Sequence, residues 1–151
     1  MTRGRTVQQQ GEQRPERARR LGDAIPPPTA HARSYRLGTL TVVELHGEID
    51  LATAETVEPH LAAAAQGLPP LLVLLDLGLV EFIDCFGLSL LVRARRRIAD
   101  RGGRVVMVCD DRATRKLLAL TGLDGVFHPY RHVEDALRDE IGGRPDAAPP
   151  D

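Results

Sequence analysis

The chain has 151 residues and a mass of 16.5 kDa, enough for one domain of ordinary size with tails and too little for two separate cores. Hydrophobic residues make up 42% and charged residues 27%, which provides for a buried core and a wetted surface and excludes a wholly disordered chain. Net charge is -1, and no unbroken apolar run is longer than Leu71 to Leu75, far short of the roughly 20 residues of a membrane-spanning helix.

Residues 1–33 are polar, rich in Gln and Arg, and end near Pro26-Pro27-Pro28, a run that favours an extended polyproline segment over a packed element. This arm is expected to be disordered. It holds seven arginines against Glu12, Glu16 and Asp23, a net +4, which leaves -5 for the remainder. An acidic domain with a short basic arm does not present the face of a nucleic-acid-binding protein, and the arm reads as a solvated tail. No uninterrupted apolar segment of signal-peptide type occurs in it, so a cytoplasmic protein is expected. The folded domain is placed at 34–141. Residues 142–151, with two glycines and three prolines, read as a second disordered tail.

Leu40 to Leu45 is rich in strand-forming residues and precedes the turn-prone Gly47, while Tyr35 to Leu37 reads as its partner strand across a Gly38-Thr39 turn. From Ala52 to Gln66 the alanine-rich sequence, with Val57 and Leu61 at helical spacing, predicts a helix that bends at Pro59. Leu71 to Leu75 reads as a strand buried on both faces. A helix comes next, in which Leu88, Leu91, Val92, Ile98 and Ala99 line one side, Arg93, Arg95, Arg96 and Arg97 mark the wet side, and Gly102-Gly103 ends it. Val105 to Val108 is then a parallel strand reached by a right-handed crossover. Asp110 or Asp111 caps a further helix through Leu117 and Leu120, ended by Gly122. A short strand near Val126-Phe127 and a helix from about Arg131 to Ile141 complete the domain.

Two segments carry the functional signal, Gly47-Glu48-Ile49-Asp50-Leu51-Ala52-Thr53-Ala54 and Val80-Glu81-Phe82-Ile83-Asp84-Cys85-Phe86-Gly87-Leu88. Together with Leu120-Thr121-Gly122-Leu123, they make the sequence similar, from about Tyr35 to Leu137, to the STAS family of bacterial anti-sigma factor antagonists. The resemblance implies an α/β fold with a mixed sheet of four or five strands and helices mainly on one face. It also implies partner switching: an antagonist binds an anti-sigma factor, itself a GHKL-type serine kinase, and is later phosphorylated by it and released. In the family the acceptor lies in the pattern Asp-Ser-Ser/Thr-Gly at the start of the second helix. Asp84 and Gly87 match that pattern, whereas Cys85 occupies the acceptor position and Phe86 the next. Loss of phosphorylation control is therefore expected, since a thiol is not an equivalent acceptor and Ser89 lies a turn into the helix.

By this resemblance the partner surface comprises Asp50, Thr53, Asp84, Cys85, Phe86, Gly87, Ser89 and Leu90. Each has a plainer reading beside it. Asp84 serves as an N-cap, Asp50 and Thr53 as turn and cap residues, Cys85 as a small packing residue, and Phe86 as either a core ring or a partner anchor. Cys85 and Cys109 have no His cluster at metal-ligand spacing, so neither a zinc site nor a disulfide scaffold is expected, although both cysteines fall near one end of the sheet. No Walker-type loop, nucleophile elbow or helical metal pair is present, and a binding protein without catalytic activity, metal or cofactor is expected. The alternatives are a STAS redox or ligand sensor that uses Cys85, and a docking subunit of a transport or signalling assembly.

Overall fold

The computed structural model describes residues 25–140, so most of the predicted arm and the whole of the predicted 142–151 tail lie outside the described residues. Four strands form one sheet in the order β1-β2-β3-β4, with β1 (Ala32–Leu37) antiparallel to β2 (Leu40–Ile49), and β3 (Leu72–Ile83) parallel to both β2 and β4 (Arg104–Val108). The five α-helices among the described residues are α1 (Ala54–Ala64), α2 (Cys85–Asp100), α3 (Arg112–Leu120), α4 (Asp124–Phe127) and α5 (Val133–Glu140). No described helix is long and apolar enough to cross a membrane. The α/β class, the mixed sheet and the crossover of β3, α2 and β4 agree with the pattern of the sequence.

Alternation along the strands sorts the apolar side chains into two cores. Val43, Leu45, Val73, Leu75 and Met107 point to one face, where they pack with Val57 and Leu61 of α1, Leu91 and Ile98 of α2, and Leu118 of α3. Leu40, Val42, Leu74, Val106 and Val108 point to the other and pack with Ala136, Val133 and Leu137 of α5 and with Tyr35, Leu72 and Tyr130. Four of the five helices thus share one face. Removing a fully buried leucine such as Leu75 or Leu91 from the larger core would cost on the order of 2–5 kcal/mol.

Several boundaries differ from the sequence reading. β1 begins at Ala32, a fully buried residue inside the segment assigned to the arm. Residues ahead of it are held as well: the Thr29 hydroxyl donates to Thr56 O at 2.8 Å, and the buried His60 contacts Pro27 O through Nε2 at 3.0 Å and Ser34 Oγ through Nδ1 at 2.6 Å. β2 does not stop at Gly47. The glycine takes a φ of 74° where the register with β3 shifts, so the strand kinks and continues to Ile49. The helix expected from Ala52 divides into a 3₁₀ turn (Leu51–Thr53) and α1, which runs unbroken through Pro59. β3 extends past Leu75 to Ile83 because β2 pairs with it over that length. Its buried Asp76 is satisfied locally, Oδ1 accepting from Gly78 N at 2.9 Å.

The strand expected at Val126-Phe127 is the helical turn α4. Leu123 N donates back to Leu118 O, and Phe127 N donates to Leu123 O, so the backbone is wound before the apolar pair arrives. Phe127 is buried against the larger core from that turn. Among the described residues, the sheet gains only a single bridge beyond β4, Val108 to Tyr130.

Candidate functional site

The two sequence motifs meet at one end of the sheet. Ile49 and Ile83 are paired across β2 and β3, so Asp50 and Asp84, the next residue of each strand, leave the sheet side by side. Each caps a helical segment. The Asp50 carboxylate accepts from Thr53 N at 3.2 Å while Thr53 Oγ1 accepts from Asp50 N at 3.1 Å, a reciprocal capping box on the 3₁₀ turn. The Thr53 hydroxyl also donates to Glu48 O at 2.9 Å. Asp84 accepts from Gly87 N at 2.8 Å and opens α2. The expected cap roles of Asp50, Thr53 and Asp84 are therefore present in the geometry.

Cys85 is the first residue of α2 and is exposed, whereas Cys109 is buried at the end of β4; both are free thiols. Burial pushes the Cys109 thiol pKa above its ordinary value. The helix begins where it does because Gly87 has no side chain: a β-carbon there would overlap the Ile49 carbonyl and the Ile83 side chain. Gly87 is buried and Leu90 is only 2% exposed, packed in the larger core. These two positions thus support the expected partner face from beneath and are not part of its exposed surface. Phe86 is half-buried against the same core. Ser89 is half-buried too, and its hydroxyl donates to Phe86 O at 2.6 Å.

Two shallow apolar depressions flank Cys85. One, of about 280 Å³, is lined by Cys85, Leu88, Ser89, Val92, Arg93, Thr121 and Leu123. The other, of about 370 Å³, is lined by residues from Glu81 to Cys85 together with Asp111, Ala113, Thr114 and Leu117. Phe82 is half exposed beside the second. The contribution of α3 and of the turn after it was not among the expected site residues. The parallel arrangement of β3 and β4 carries the signal for it, because it brings the loops after both strands to the same end of the sheet. The rim of the second depression is acidic, with Glu81, Asp84 and Asp111. Among the described residues lining it, no nucleophile is hydrogen-bonded to a base.

Residues 31–136 match the family model of the STAS domain. The anti-sigma-F factor antagonist RsfB of Mycobacterium tuberculosis is 34% identical over 107 residues, 71% of this chain and 86% of that protein. A crystal structure of an anti-sigma factor antagonist from Mycobacterium paratuberculosis superposes with a TM-score of 0.66 at 31% identity, over 77% of this chain and 97% of that one. The unphosphorylated anti-sigma factor antagonist SpoIIAA shares the fold, with a TM-score of 0.62 at 21% identity over 74% of this chain and 97% of its own. With the mixed sheet, the capped α2 and this similarity over most of its length, the chain belongs to the STAS domain family.

Proposed function

We propose that this protein is a cytoplasmic anti-sigma factor antagonist that binds a GHKL-type anti-sigma kinase through the face around Cys85, and that phosphorylation of the antagonist does not dissolve the complex. The relatives named as antagonists support the first half. The observation that carries the second is the exposed Cys85 thiol in the first turn of α2, just after the Asp84 cap. A helix start is where a phosphate would be held by free backbone N–H groups, and its bulk and charge would disrupt a fit made to the unmodified surface. Without a hydroxyl at residue 85 that reaction has no oxygen nucleophile there. Ser89 is a poor substitute, since its hydroxyl is half-buried and engaged with Phe86 O. The protein acts by binding rather than by catalysis, with apolar groups of the kinase seated in the depressions beside Cys85.

The test is a binding titration of the purified chain against the GHKL-type anti-sigma factors of its own organism. Wild type binds one of them, and Cys85→Arg, which places bulk and charge at an exposed position, weakens that binding at least about 100-fold, a loss on the order of 3 kcal/mol, with an unchanged circular dichroism spectrum. Equal binding by the variant would place the interface elsewhere, and no binding to any such kinase would contradict the proposal.

A further inference from the structure

Among the described residues β4 ends the sheet, and only part of its outer edge is paired. Arg104 N donates to Leu71 O at 2.9 Å, so by the alternation of a parallel ladder Arg104, Val106 and Val108 face β3, while Val105, Met107 and Cys109 face outward. Met107 O accepts from Tyr130 N at 2.9 Å, and Cys109 N donates to Tyr130 O at 2.8 Å. Further back along the strand, the N–H and C=O of Val105 have no backbone partner outside the ladder among the described residues, whereas Met107 is fully buried. A fifth strand would have covered them. The helical turn α4 lies there instead, and a groove of about 230 Å³ runs along this stretch between α2, α4 and the end of α5.

The groove is cationic. Arg95, Arg104 and His128 line it against one carboxylate, Glu140. That carboxylate is already engaged, with Oε1 3.0 Å from Arg104 and Oε2 accepting from the Tyr130 hydroxyl at 3.0 Å. The side chains of Arg95 and His128 make no hydrogen bond or ion pair among the described residues. A neutral strand would satisfy Val105 and leave Arg95 without a counter-charge, and a small anion would do the reverse. An acidic extended segment does both.

We propose that this groove binds an acidic peptide in extended conformation, added to the sheet as a short strand beside Val105 with its carboxylates toward Arg95 and His128. Main-chain hydrogen bonds supply affinity in such strand addition, and alternate side chains supply selectivity. Because side chains repeat every second residue along a strand, carboxylates two apart in the guest reach the same cationic wall. The groove shares no lining residue with the depressions beside Cys85, so it is a second binding surface, independent of the first.

The experiment is an amide chemical-shift titration of the isotopically labelled full chain with three capped heptapeptides: alternating Val and Glu, alternating Val and Lys, and the acidic peptide with alternate backbone nitrogens methylated. The acidic peptide is expected to shift the amide of Val105, and the lysine and methylated peptides are not. Arg95→Glu, a change at an exposed position, is expected to weaken binding at least about tenfold with an unchanged fold. Absence of a shift at Val105, or equal binding by Arg95→Glu or by the methylated peptide, would overturn the proposal. Binding that occurs only after removal of residues 141–151 would assign the groove to the chain's own tail and equally overturn it.

Discussion

Gly87 lies against the carbonyl group of Ile49 so closely that a β-carbon at residue 87 would overlap it. This contact fixes the first turn of α2 to the end of β2 and sets the position from which Cys85 is presented. Gly87→Ala is therefore expected to lower stability by about 1–3 kcal/mol through overpacking, read from the urea midpoint. A change below about 0.5 kcal/mol, the level of an ordinary surface substitution, would show that α2 is free to shift.

Phe86 is next to the acceptor position but packs against the larger core. Phe86→Ala is expected to cost about 1–2 kcal/mol of stability, less than the roughly 3–5 kcal/mol of a fully buried ring. Affinity for the anti-sigma factor is expected to stay within about threefold, under 1 kcal/mol. The opposite pattern, intact stability with lost binding, would make the ring a partner anchor.

The strands and the main crossover were legible in the sequence because β-branched and apolar runs broken by Gly and Pro are local signals. Val126-Phe127 was not, because its helical form depends on hydrogen bonds begun at Leu118 and Leu123 and not on the apolar pair itself. The pattern around Asp84 marked the candidate site, but burial separates its members: Cys85 is exposed while Leu90, five residues on, faces the core, a distinction that needs the rotation of α2 on the sheet. Leu117, Thr121 and Leu123 join the site only through tertiary placement. The hold on residues 27–31 was likewise hidden, since it depends on His60 of α1 meeting Pro27 and Ser34.

His60 gives that hold a pH dependence. Burial lowers its pKa below the ordinary 6.5, and the neutral ring can donate from Nε2 to Pro27 O while Nδ1 accepts from Ser34. Below the unfolded value the unfolded chain binds a proton that the folded chain resists, so the contribution is full above about pH 6.5 and is lost as pH falls toward the lower folded value. Thermal unfolding of wild type and His60→Gln at about pH 7.5, 6.5 and 5.5 is expected to show the gap between them narrowing with acidity. A gap independent of pH would refute the assignment.

Asp76 has the opposite sign. Burial, with a further contribution from the Glu44 charge across the β2–β3 pair, raises its pKa above the ordinary 3.8. The folded state therefore favours the protonated acid, and the group's contribution is full below 3.8 and lost as pH rises through the folded value. Asp76→Asn keeps an oxygen acceptor for Gly78 N and removes the buried charge. It is expected to be more stable than wild type at neutral pH, with the advantage fading by about pH 3. A variant less stable than wild type at neutral pH would show that the ionised carboxylate stabilises β3.

Intact-mass measurement tests most directly whether the partner complex lacks a phosphorylation switch. Wild type, Cys85→Ser, and Cys85→Ser with Phe86→Ser are each incubated with the anti-sigma kinase and ATP, and complex formation is monitored by size-exclusion chromatography. Wild type is expected to keep its mass and stay bound, while the double variant gains one phosphoryl group and dissociates. A phosphoryl group on wild type, at Ser89 or any other residue, or a double variant that binds the kinase and remains unmodified, would contradict the assignment of residue 85.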